Sequence, residues 1–335
     1  MGSMWDIGRK QLEDTFSSRK FLLILGLFLA LSLGSVYLGV QDYNQQMDRI
    51  QSGDFYGEIP EEPSLIDVFD TMVSLNLPLA AGVLALLLSY DSVSREREEG
   101  TIELLLSYPV YRDEVINGKF VAGLFTVSIA LLIAFTSASG LAIYLTGKLP
   151  TVEQIYRLMF MWQGSVVYMA FFFGLGTLFS TVFRSSWRSL IAGMAVLLLF
   201  FATPFIAGFT ASFIYPMDID SSSSSVSSGV AVERSVSSGG AYTVRESPTD
   251  NRREQREQIR QKRESFRNQI SKVSPTTSYQ DFVTTMLGTD YDSDNSLKPS
   301  IWESLSVGLG YLVFLLSETM LVFTASYTVF MRQDL

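Results

Sequence analysis

From Phe21 to Val40 the chain carries no charged residue. A helix rises about 1.5 Å per residue, so such a run reaches roughly 30 Å, the thickness of a bilayer's hydrocarbon core. Uncharged runs return at Met72–Tyr90, 120–146, 159–183 and 189–213. A last apolar run, interrupted by Glu303 and Glu318, covers Ile301–Phe330. A backbone crossing hydrocarbon must satisfy its own N–H and C=O groups, and a helix does so within one segment. The expectation is an all-α polytopic membrane protein with six transmembrane helices. Arg19 and Lys20 precede the first run as they would a signal peptide. The run is longer than the roughly 7–15 apolar residues of a signal, and no small-residue cleavage site clearly follows it. It reads as a retained span.

Composition agrees and narrows the chemistry. Charged residues are 18% of the 335, against roughly 25% in a soluble domain. Cysteine and histidine are absent, which excludes thiolate chemistry, disulfides and imidazole bases, and with them the usual zinc and copper ligands. A net charge of −9 argues against a nucleic-acid partner. Met1-Gly2-Ser3 ahead of Met4 (residues 1–3) reads as a cloning remnant, and Asp6 stands where a myristoylation signal needs Ser or Thr.

Positive charge sets the orientation. With both termini inside, the cytoplasmic pieces hold Arg9, Lys10, Arg19, Lys20, Arg95, Arg97, Arg112, Lys119, Arg184, Arg188 and Arg332, while the short outer loops hold Arg49, Lys148 and Arg157. In residues 4–20, Trp5, Leu12 and Phe16 recur at i, i+7 and i+11. They predict an amphipathic helix anchored in the cytoplasmic membrane interface, or a solvated lead-in to the first span. Spans one to five then occupy 21–213. Residues 41–70 are acidic and read as an outer loop.

A large extracytoplasmic loop, 214–300, precedes the last span and C-terminus, 301–335. Its Ser- and Gly-rich part, 217–248, reads as disordered. Residues 250–288 predict two helices parted at Ser274-Pro275. The first carries the stripe Ile259, Phe266, Ile270 and Val273. The second carries Tyr279, Phe282, Val283, Met286 and Leu287, with Gly288 as C-cap. This pair is either a lid or cap for an extracytoplasmic partner, or a hairpin resting on the outer membrane surface.

The charged island 94–119 separates the second and third runs. Charges there would be expensive at mid-membrane, so the segment must leave the bilayer. Glu96, Glu98, Glu99 and Glu103 precede Leu104, Leu105 and Leu106. Gly100 interrupts, Thr101 can cap a helix from Ile102, and Pro109 ends it. The plain reading is a surface helix joining two spans. The string Glu96-Arg97-Glu98-Glu99-Gly100-Thr101-Ile102-Glu103-Leu104-Leu105-Leu106-Ser107, then Pro109-Val110, Arg112, Glu114 and Gly118-Lys119, resembles the signature loop of ABC exporter permeases of the second class (type V exporter fold). Within that family it is most similar to the permease subunit of the nitrous-oxide-reductase copper-maturation system.

The resemblance implies a half-transporter in the prokaryotic cell membrane. Its cytoplasmic coupling helix would sit in a groove of a separate ABC ATPase, through Glu96, Glu98, Glu99, Gly100, Thr101, Glu103, Leu104 and Pro109. Two ATPase copies and a second permease chain, identical or paralogous, complete the assembly. No G-x-x-x-x-G-K-[ST] phosphate loop is present, so ATP and Mg are expected on the partner and no catalytic residue or cofactor on this chain. The copper function is not carried over: Met159, Met161, Met169 and Met217 lie near outer span ends, but thioethers there read as packing, and no metal site is expected. Glu318, between Ser317 and Thr319 in the last span, is expected to be protonated, paired with a polar neighbour or facing a wet pathway. Asp91 reads as an interface residue. Gly174, Gly176 and Gly193 suit close helix packing against other spans and lipid. The alternative to transport is a signalling complex in which ATPase cycling acts on an outer partner through 214–300. An intramembrane enzyme would rest on Glu318 alone.

Overall fold

The computed structural model describes residues 4–53, 63–100, 112–215, 248–271, 273–288 and 300–332. Among these every regular element is helical, and six helices are long and apolar enough to cross a membrane. In chain order the elements are α1 (Met4–Ser17), α2 (Arg19–Ser52), a 3-10 helix (Leu65–Phe69) and a π-helical turn (Met72–Asn76). Then come α3 (Leu77–Ser89), α4 (Ser94–Glu98), α5 (Arg112–Thr146), α6 (Val152–Val182), α7 (Ser186–Ile214), α8 (Pro248–Ser271), α9 (Pro275–Leu287) and α10 (Ile301–Arg332). The chain is a multi-pass membrane protein. It forms two compact units, residues 1–201 with 274–335, and residues 202–273.

Most buried aliphatic and aromatic side chains of the first unit make one core with α6 at its centre, and Val93, Val115, Ile116 and Phe330 form a smaller cluster apart from it. Helix contacts there rely on glycine, because helices in lipid associate through close packing. A side chain at Gly176 would strike Ser89, and one at Gly193 or Gly174 would crowd Leu86 or Val322. The expectation for these three positions matches the packing. Met161 and Met169 are fully buried in the same core, whereas Met159 is exposed. Met217 lies outside the described residues.

Three parts of the fold depart from the sequence reading. First, α2 runs 34 residues, about 51 Å of helix. No Gly or Pro falls between Val40 and Gly53, and Gln and Met sustain a helix beyond the apolar run. Tyr43 and Met47, one turn apart, pack on the core. Second, residues 65–69 are not a solvated acidic loop. A Ser64–Asp67 capping box starts the 3-10 helix, and its Leu65, Ile66, Val68 and Phe69 are all buried. The helix rests on α2 so closely that a side chain at Gly39 would collide with the Val68 carbonyl. The acidity that placed 41–70 in water is real, but it is interleaved with apolar residues at helical spacing.

Third, α9 lies inside the first unit rather than on a membrane surface. Tyr279, Phe282, Val283, Met286 and Leu287 are all buried, and α9 packs against α6, α10 and the π turn. The break at Ser274-Pro275 and the cap at Gly288, φ 75°, fall where expected. Nothing in a stripe of five apolar residues tells a helix that lies on a bilayer from one that enters a bundle. Helix α8 falls in the second unit, where Arg263 Nε donates to the Tyr215 carbonyl at 2.7 Å and Phe266 meets the Tyr215 ring edge-on. Its Ile259, Phe266 and Ile270 are half-buried, and Val273 is exposed.

Candidate functional site

The second span ends at Tyr90, and the chain turns through Asp91–Val93 into α4. A short helix so begun has orphan N–H groups at its start. Here a neighbouring helix satisfies them: Ser180 Oγ, near the end of α6, accepts from Val93 N and Ser94 N, both at 2.9 Å. The Ser94 and Ser186 hydroxyls lie 3.0 Å apart, linking α4 to the first residue of α7. Arg97 donates to the Thr181 carbonyl at 3.2 Å.

Each acid of α4 has a definite place. Glu96 pairs with Lys119 of α5 at 2.6 Å, and the Lys119 side chain is only 5% exposed. Lys119 also donates to the Ser92 carbonyl. Glu98 accepts from Ser186 N at 2.9 Å and from the Ser186 hydroxyl at 2.8 Å. A carboxylate so placed caps α7 and meets the positive end of its dipole. Glu99 faces solvent and, among the described residues, pairs with Arg95 at 2.8 Å, one turn away. Gly100, φ 70°, closes α4 in a left-handed conformation that suits glycine.

The same end of the bundle holds two further joints. Asp91 pairs with Lys20 of α2 at 2.8 Å, and Lys20 lies over the Tyr90 ring at 4.2 Å. Val93 packs with Val115, Ile116 and Phe330, bringing the last turns of α10 to this end. Helix α1 leans on α5, where a groove is lined by Gly8, Leu12, Gly118, Val121, Ala122 and Phe125, and Phe16 meets Phe21 edge-on. Leu12 and Phe16, expected as interfacial anchors, therefore touch protein. Of Trp5 only its place in α1 is described.

Of the expected docking residues, Glu96, Glu98, Glu99 and Gly100 thus gather on α4, while Thr101, Glu103, Leu104 and Pro109 lie outside the described residues. Glu318 is not brought to them. It is half-buried on α10, roughly 18 Å of helix from Phe330. Its Oε2 has no hydrogen-bond partner among the described residues. Ser317 turns to the Phe314 carbonyl at 2.6 Å. Thr319 bonds Leu315 O at 2.8 Å and lies 3.5 Å from Val167 O of α6. Ser180, Thr181 and Ser186 escaped the sequence reading. Polar residues at a span end have no periodicity, and their role appears only when the helix ends meet.

With this geometry in place, likeness to known proteins is decisive for the family. The sequence profile of the ABC-2 family transporter proteins matches residues 5–335. The chain belongs to that family. Two relatives bear the name "Probable ABC transporter permease protein NosY". That of Stutzerimonas stutzeri is 33% identical over 139 residues, 42% of this chain and 45% of the relative. That of Pseudomonas aeruginosa is 31% identical over 203 residues, 60% of this chain and 67% of the relative. The match thus spans less than half of the first relative and two thirds of the second. As an ABC-2 chain with six apolar helices, it is a multi-pass protein of the prokaryotic plasma membrane, and the family is the one the island's motif resembles.

Proposed function

We propose that the chain is the permease subunit of an ATP-driven exporter, with a separate cytoplasmic ABC ATPase docked on the island 94–119. The observation that carries this reading is the build of residues 91–98. They bond to α2, α5, α6 and α7 immediately before residues 101–111. A push on the island would reach four spans at once, as alternating access requires. The docking surface comprises Glu99, Gly100, Thr101, Glu103, Leu104 and Pro109, while Glu96 and Glu98 hold the handle to the bundle. ATP and Mg bind to the partner, two ATPase copies act on two permease chains, and both termini face the cytoplasm.

The test is the double variant Glu99→Arg with Glu103→Arg, purified with its ATPase. ATP turnover stimulated by the permease should disappear while the six spans still insert, and unchanged stimulation would remove the docking claim. A second reading, a transmitter acting on an outer partner, draws support from α9, which joins the loop 214–300 to the core. Because α9 is buried, the discriminating deletion is confined to Pro248–Ser271. A transporter would still move substrate, and a transmitter would lose its effect outside.

A further inference from the structure

We propose that Lys119 is a positioning residue, the pin through which a displacement of residues 92–99 reaches the third span. The inference rests on the reading that 94–119 docks an ATPase. It adds which side chain passes the movement on.

Lysine ordinarily keeps its ammonium in water, so a lysine only 5% exposed needs a reason. Its partners supply one. The ammonium bonds Glu96 within α4 and the Ser92 carbonyl in the turn before it, so it grips that segment at two points a turn apart. One turn earlier in α5, Val115 and Ile116 pack on Val93. The neighbour of Lys119, Gly118, abuts α1, where a side chain at Gly8 would meet the Gly118 carbonyl at 3.5 Å. Among the described residues, Lys119–Glu96 is the ion pair that joins 92–99 to α5. The other links, from Ser180, Thr181 and Ser186, go to α6 and α7.

The residue types matter. Apolar contacts between helices are not directional, so they hold two surfaces together without tying one atom to another. A buried ion pair adds little net stability, but it fixes one register because leaving that register exposes an unpaired charge to low dielectric. Such a joint suits transmission better than it suits folding.

The experiment uses the full chain with the ATPase subunit that co-purifies with it, in lipid nanodiscs. It measures the affinity for the ATPase and the stimulated ATP turnover. Lys119→Met should leave affinity within about twofold while lowering stimulated turnover by about tenfold, and Lys119→Arg should restore most of it. Glu96→Gln, which keeps the shape of the acceptor, should give the same split at smaller size and serves if Lys119→Met does not fold. Affinity and turnover falling in equal proportion would mean that Lys119 merely shapes the dock. Wild-type turnover in either Lys119→Met or Glu96→Gln would likewise overturn the proposal. If the wild-type chain recruits no ATPase, the docking reading itself falls and takes this inference with it.

Discussion

The two ends of the first unit are joined by different chemistry. At the α4 end the joints are short and charged: Lys20 to Asp91, Lys119 to Glu96, Glu98 to the first turn of α7. At the α9 end they are chiefly aromatic rings and hydroxyls, with Arg157 the one buried charge described among them. Tyr168 and Tyr279 sit 4.7 Å apart. Ser165 and Tyr279 share a 2.8 Å hydrogen bond, and Tyr168 donates to the Pro78 carbonyl at 2.9 Å. A side chain at Gly164 would run into Phe282, and one at Gly308 would strike Met286 and crowd Phe282. Close packing resists any change of shape, whereas a pair of charges tolerates rotation but not separation. The α9 end is therefore built to hold one arrangement, and the α4 end to be moved as a piece.

If that contrast is right, the largest loss of stability comes from the α9 end. Phe282→Ala removes a ring seated where two glycines leave room for it, and the cavity should cost about 3–5 kcal/mol. Thermal or SDS unfolding of the purified chain measures it. A loss under about 1 kcal/mol would show α9 to be peripheral. Next in size is Arg157→Leu. The Arg157 guanidinium, 5% exposed, donates to the Met286 carbonyl at 2.6 Å, tying the last turn of α9 to α6, and it pairs with Glu153 at 2.9 Å. Losing charged hydrogen bonds of this kind should cost about 1.5–3 kcal/mol by the same measurement. Arg157→Lys should recover only part, since one ammonium cannot serve both partners with guanidinium geometry.

The two ends also differ in how far the sequence disclosed them. Spans are legible because length and the scarcity of charge are local properties: α5, α6, α7 and α10 each cover, to within one residue, the run that announced them. The extensions beyond those runs were not, since Gln45 or Asp113 continues a helix as readily as it begins a loop. The α4 end was half legible. Glu96 to Gly100 declared themselves by pattern, but two of the acids face inward, onto Lys119 and Ser186. Spacing along a chain cannot say whether an acid meets a partner protein or a helix 88 residues further on. The depth of α9 was illegible for a related reason. An apolar stripe reports that something covers it, and lipid and protein both qualify. The π turn is a third case: its Ser74 carbonyl is taken up by Gln280 Nε2 at 3.0 Å, a contact across most of the chain.

The smallest expected effect is the sharpest test of the contrast within the α4 end itself. Lys20 and Asp91 are 40% and 19% exposed, whereas Lys119 is nearly buried. Water and counterions reach the first pair, so its mutual energy should be under about 1 kcal/mol. Part of that belongs to the Tyr90 ring beneath the ammonium. A double-mutant cycle with Lys20→Gln and Asp91→Asn isolates the pair term, provided each single change only removes the contact. Raising salt to about 1 M shortens the screening length to roughly 3 Å and should erase most of what is measured. The corresponding cycle with Lys119→Met and Glu96→Gln should hold more of its value across the same salt range, because the Lys119 ammonium is buried even though Glu96 is 26% exposed. Equal salt sensitivity in the two cycles would mean that Lys119 is as wet as Lys20. The stiff joint that distinguishes this end of the bundle would then not exist.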